Sequence, residues 1–110
     1  MPAMDSVSER EFLDIYGRLH FSAKGIRSPR EFYERMIEEI ERIRRAQEEA
    51  TSERRRKYLQ KGITYLKNLV NSGFAIRVFE EAYSDPNGFI ALSLRYGKPE
   101  ARRIRLRRFL

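Results

Sequence analysis

Residues 74–109, FAIRVFEEAYSDPNGFIALSLRYGKPEARRIRLRRF, decide the fold. Phe74 to Tyr83 is rich in Phe, Ile, Val and Tyr and reads as a strand. Asp85-Pro86-Asn87-Gly88 has turn chemistry: Pro presets one dihedral and Asn-Gly accepts positive φ. Phe89 to Tyr96 alternates apolar and polar. Gly97-Lys98-Pro99-Glu100 is a second turn, and Ala101 to Phe109 a third strand. The expected result is a three-stranded antiparallel meander.

Alternate residues of a strand share a face. Ile76 and Val78, then Ile90, Leu92, Leu94 and Tyr96, then Ile104 and Leu106 supply an expected core face. The opposite face collects Arg77, Phe79, Glu81 and Tyr83 from the first strand. It adds Phe89, Ala91, Ser93 and Arg95 from the second, and Arg103, Arg105 and Arg107 from the third. Arginines interleaved with aromatics suit a single-stranded nucleic acid. Each base stacked on an aromatic contributes about 1–3 kcal/mol, and the arginines follow the phosphates. RNA-recognition sheets share this layout, although their consensus aromatic motifs are absent here. Two bland readings stand beside it. Phe79, Tyr83 and Phe89 fit a subunit interface, and an arginine ladder also protects an edge strand.

Upstream, the period is helical. Ser8-Glu9-Arg10-Glu11 has capping-box form, followed by Phe12, Ile15, Tyr16 and Leu19 on one face. Ser28-Pro29-Arg30-Glu31 starts a second helix with the stripe Phe32, Met36, Ile37, Ile40 and Ile43. Thr51 or Ser52 caps a third, with the stripe Leu59, Ile63, Leu66, Leu69 and Val70. Asn71-Ser72-Gly73 ends it. Residues 30–72 are a helical hairpin or one long helix broken near Thr51. Arg54, Tyr58, Lys61, Tyr65 and Asn68 run beside the third stripe, and Lys61 and Tyr65 are added to the candidate site. Arg54 to Lys57 place four cations in the first turns, where they oppose the helix dipole. The expectation is one α+β domain over 1–110, with about three helices (8–72) packed on one face of a meander (74–110).

Charge is asymmetric along the chain. Residues 1–50 carry 9 Lys/Arg against 11 Asp/Glu, and residues 51–110 carry 14 against 5. The formal net charge is +7. Excess localised this way points to a polyanionic partner. Asn and Gln number five, charged residues make up 35% and Cys is absent. That composition is expected of a thermophile.

The lack of Cys removes disulfides, thiolate metal sites and cysteine nucleophiles. No apolar run approaches a membrane span, and Met1 to Arg10 lacks a signal-peptide core, so a cytoplasmic protein with no membrane partner is expected. His20 is the single histidine and has no partner motif. Asp14, Glu80, Glu81 and Asp85 have no spacing that argues for a carboxylate site. There is no glycine-rich phosphate loop and no calcium-type acidic loop. No enzyme, metal or cofactor is expected.

Size, thermophilic composition, helices before a sheet, and basic residues around Phe79, Tyr83 and Phe89 resemble the ThermoDBP-related archaeal single-stranded DNA-binding proteins. That resemblance implies sequence-tolerant binding in a basic, hydrophobic cleft without a cofactor. Glu31-Phe32-Tyr33 opening a long helix, then Tyr58-Leu59 and Arg77, is similar to the helical domain of the GINS replication subunits over residues 10–83. Gly88 to Leu110 departs from that family's β domain. This second resemblance implies a scaffold subunit of a replication-type complex, with Phe79 and Tyr83 facing another protein.

The leading expectation is a single-strand binder, of DNA more than RNA. Arg77, Arg95, Arg103, Arg105 and Arg107 contact phosphates, and Phe79, Tyr83 and Phe89 stack bases. No short-turned helix-turn-helix argues for duplex. A free sheet edge adds the expectation of a homodimer.

Overall fold

Each of the first three helices is capped by a serine. In the computed structural model, which describes residues 7–19 and 21–108, they are α1 (Glu9–Tyr16), α2 (Pro29–Glu49) and α3 (Glu53–Asn71). The hydroxyls of Ser8, Ser28 and Ser52 accept from the backbone N–H groups of Glu11, Glu31 and Arg55 at 3.1, 3.2 and 3.1 Å. Each cap satisfies a donor that the helix itself leaves open. The Glu31 carboxylate also accepts from the Arg27 N–H at 2.7 Å, which fixes the entry of α2.

Ala50 to Ser52 is too short a connection for anything but a hairpin, and α2 packs against α3. Ile40, Ile43, Leu59, Ile63 and Leu66 zip its distal part into a separate apolar cluster. Gly73 ends α3 with φ +73°. Its carbonyl then accepts from Arg77 N–H at 3.0 Å to start the next helix. A Cβ at Gly73 meets nothing within 4 Å. Gly73→Ala is therefore expected to cost only the left-handed backbone penalty, about 1 kcal/mol, read as a lower urea midpoint at constant slope.

The expected meander is not there. Among the described residues no strand exists, and the fold is all-helical rather than α+β. The three segments read as strands are α4 (Phe74–Ser84), α5 (Phe89–Tyr96) and α6 (Lys98–Arg108), with Phe109 outside the described residues. The physical reasons differ by segment. In α4 the buried positions Phe74, Ala75 and Val78, with half-buried Phe79 and Ala82, follow i, i+1, i+4, i+5, i+8, which is a helical stripe. All six residues Phe89 to Leu94 are buried in α5. A helix apolar all round has no 3.6 period to read, so the chance alternation of its sequence carried no information.

In α6, arginine is among the best helix formers, and Ala101 and half-buried Ile104 sit i, i+3 on the inner side. Only four β-branched residues (Ile76, Val78, Ile90, Ile104) occur over residues 74–108, too few to favour strands. The two turns are helix–helix connections. Gly88 caps α5, its carbonyl accepting from Leu92 N–H at 3.0 Å. Gly97, with φ +89°, closes α5, and Pro99 stands in the first turn of α6, where its missing N–H costs nothing.

α5 is the centre of the main core, contacted by α1, α4 and α6. Phe12 meets Phe89 edge-on at 6.4 Å between ring centroids. Phe32 meets Phe21 at 5.9 Å and Phe74 at 5.8 Å in the same manner. Such pairs add about 0.5–1.5 kcal/mol beyond burial. The Ser93 hydroxyl, buried in α5, donates to the Phe89 carbonyl at 2.7 Å, so no polar atom of that side chain is stranded. Among the described residues no helix is long and apolar enough to cross a membrane.

Candidate nucleic-acid interface

Without a sheet, the face that was to unite the arginines and aromatics does not exist. Phe89 is in the core and only 5% exposed, so no base can stack on it. Arg77 pairs with Glu11 of α1 at 3.0 Å and is largely covered. Arg105 pairs with Glu9 and lies over the Phe89 ring, 5.8 Å from its centroid. Arg103 and Arg107 share Glu100 at 3.0 and 3.9 Å. Arg77 and Arg105 thus tie α4 and α6 to α1, whereas Arg103 and Arg107 pair within α6 itself. Phe79, Tyr83 and Arg95 do come together, on the outer side of α4 and α5, where the Arg95 guanidinium donates to the Pro86 carbonyl.

A groove that joins cations and aromatics lies on the hairpin instead. Lys61 and Tyr65 line an open groove of about 750 Å³ with Arg18, Arg42, Arg55 and Tyr58. Its apolar floor comes from Ile43, Ala46 and Leu59, and no acid lines it. The local sequence explains the arrangement. Leu59, Ile63 and Leu66 point α3 into α2. Positions 58, 61, 62 and 65 are then the flanking strip on one side of that contact. Arg18 arrives from the turn that ends α1.

Arg18, Arg55 and Lys61 have no carboxylate within 4 Å among the described residues. Arg42 pairs with the buried carboxylate of Glu39, whose hydrogen bond holds the Arg42 pKa above its ordinary value. Tyr58 is 67% exposed, with the Arg55 guanidinium 5.6 Å from its ring centroid. Arg18 lies 5.7 Å from the Tyr65 centroid. Both contacts hold a cation and a π-face side by side.

Arg18 and Tyr65 also line a second cleft, of about 560 Å³, of mixed charge, with Arg10, Glu11, Asp14, Asn68 and Arg77. The two depressions are therefore continuous from the hairpin past the end of α1. At the junction, the Tyr65 hydroxyl is buried and finds no hydrogen-bond partner among the described residues. Burial pushes its pKa up, and the Arg18 guanidinium opposes the shift. The folded state thus favours the neutral phenol. As pH rises past the ordinary tyrosine value near 10, the unfolded chain ionises first and stability falls. Tyr65→Phe is expected to abolish that slope and to stabilise the protein by about 1 kcal/mol, because a stranded hydroxyl is removed. Urea titrations at neutral and high pH check both.

Lys61 and Tyr65 were legible from the helical spacing, whereas Arg18 and Arg42 were missed. No local pattern pointed to those two, although Gly62 marks the same stretch of α3 as unusual. A mid-helix glycine costs about 0.5–1 kcal/mol against alanine. Here it lines the groove, where a Cβ would reach only ordinary contact with Ile43, at 3.6 Å. His20 lies outside the described residues. Among those residues, no three His, Cys, Asp or Glu side chains are grouped to hold a metal ion. No family model matches the chain, and neither a curated protein nor a solved structure is significantly similar to it.

Proposed function

We propose that this chain is a non-catalytic, sequence-tolerant binder of single-stranded nucleic acid, using the α2–α3 groove. The observation that carries the reading is the groove's composition: Arg18, Arg42, Arg55 and Lys61 surround Tyr58 and Tyr65, and no acid lines it. Cations without carboxylate partners gathered around one groove repel one another. A polyanion relieves that repulsion and releases counterions. Tyr58, standing out from α3, offers a π-face to a base whatever its identity, which is why the binding is sequence-tolerant. Arg42, held by Glu39, positions rather than neutralises. The path continues toward Arg10 and Asn68 along the second cleft, so a strand longer than the groove itself is accommodated.

Fluorescence anisotropy with labelled oligo-dT, oligo-U and a matched duplex, each at low and moderate salt, tests this. Single strands are expected to bind, with log affinity falling linearly in log salt by about 0.7 per phosphate neutralised. Preference between oligo-dT and oligo-U identifies DNA or RNA as the ligand. Absence of binding to all three probes sinks the reading, and stronger binding to duplex sinks its single-strand part.

A further inference from the structure

A second groove, of about 490 Å³, lies away from the basic one, where α4 and α5 meet the α1–α2 loop. Ile26, Phe79, Ala82, Ala91 and Leu94 make it apolar, and its only charged lining residues are Arg27 and Arg95. Neither has a carboxylate within 4 Å among the described residues. The surface extends over the outer side of α4 through Phe79 and Tyr83 to Ile76 and Pro29, with Glu80 and Ser84 at its border. Ile76, Phe79 and Tyr83 follow i, i+3, i+7, the spacing with which one helix seats another. Ile76 is 45% and Tyr83 90% exposed, so no described residue covers these two, while Phe79 between them is half-buried against the core.

We infer that this groove docks an acidic amphipathic helix of a partner protein. Charge complementarity selects the occupant. Two arginines without a carboxylate partner at an aliphatic groove favour a helix whose apolar stripe is flanked by carboxylates, which the arginines meet as the stripe is covered. A second copy of this chain is disfavoured, because it brings another net charge of +7 and a second Arg27 and Arg95 to the contact. Nucleic acid is disfavoured too, since the lining is mainly aliphatic and only two cations stand there. The inference does not depend on the proposed function, which concerns other residues.

The test is anisotropy of a fluorescein-labelled helical peptide on the full chain. The peptide carries Leu, Phe and Leu at i, i+3, i+7 and glutamates beside them; a second peptide has lysines in place of the glutamates. The glutamate peptide is expected to bind and the lysine peptide not to. Tyr83→Ser and Arg27→Glu, both at exposed positions, are each expected to weaken binding about tenfold or more. Reversal of Arg18, Arg55 and Lys61 is expected to leave it intact. Four results overturn the inference: no binding, equal binding of the lysine peptide, indifference to both groove variants, or loss on reversing the hairpin cations, which would put the peptide in the other groove. Sedimentation of the unliganded chain adds a fifth: a dimer that Tyr83→Ser converts to monomer would make a second copy the occupant.

Discussion

Phe89→Ala lowers the unfolding free energy by about 3–5 kcal/mol, the range for an aromatic deleted from a core. Phe89 opens α5 with its ring edge-on to Phe12, and the Arg105 guanidinium lies over the ring. The truncation removes buried area and leaves a void bounded by a helix that is itself packed on several sides. Relaxation into that void requires α5 to move, and α5 is the element about which α1, α4 and α6 are arranged. For a chain of this size such a loss is a large fraction of the total, since domains are stable by only about 5–15 kcal/mol. Urea denaturation followed by circular dichroism reads it directly. A loss under about 1 kcal/mol would mean that Phe89 is on the surface, as the strand reading required, and would contradict the helical fold. Phe79→Ala, at a half-buried position, is expected to cost less.

The contrast between the two halves of the chain shows where a sequence is legible. α1 to α3 announce themselves through serine caps and through stripes that separate a buried side from a solvated one. Their charges sit on the solvated side and their stripes are buried, except on α2, where Glu39 is buried and Ile37 is 52% exposed. α4 to α6 lack serine caps, and α5 and α6 lack a readable stripe as well. Gly73 and Gly88 cap α4 and α5 with no side-chain hydrogen bond. α5 is buried throughout and cannot be amphipathic. α6 has so many arginines that its inner side is reduced to Ala101 and Ile104. Period-2 alternation at 103–107 then imitates a strand, although the choice of Arg, Leu and Ala favours a helix. For α5 and α6 the information was present in composition and absent from the pattern.

The same difference governs the candidate site. Lys61 and Tyr65 were found because they lie on one helix at readable spacing. Arg18 and Arg42 were not, since each reaches the groove from another element and only the tertiary fold brings them there. Conversely, Arg77, Arg103, Arg105 and Arg107 looked free in the sequence. Their carboxylate partners are Glu11 and Glu9 on α1, and Glu100. The two on α1 are more than sixty residues away, a pairing that no local pattern encodes. Net charge identified the class of partner to test. It did not say which arginines remain available for that partner.

Availability is what the second large effect measures. Reversing Arg18, Arg55 and Lys61 to glutamate is expected to weaken single-strand binding by about a hundredfold or more, and to reduce the salt slope by about 2, at about 0.7 per lost phosphate contact. Stability changes little, because all three are exposed; loss of the Arg18–Tyr65 contact accounts for about 0.5–1 kcal/mol. The necessary comparison is a second triple, Arg102→Glu, Arg103→Glu and Arg107→Glu, which alters net charge by the same amount on α6. Long-range attraction falls equally in both, so a nonspecific polycation loses the same affinity either way. A groove that seats the strand loses far more from the first triple, and only there does the slope drop by the full amount. Equal losses from the two triples would mean that the hairpin groove is not a site, and that the affinity belongs to the net charge alone.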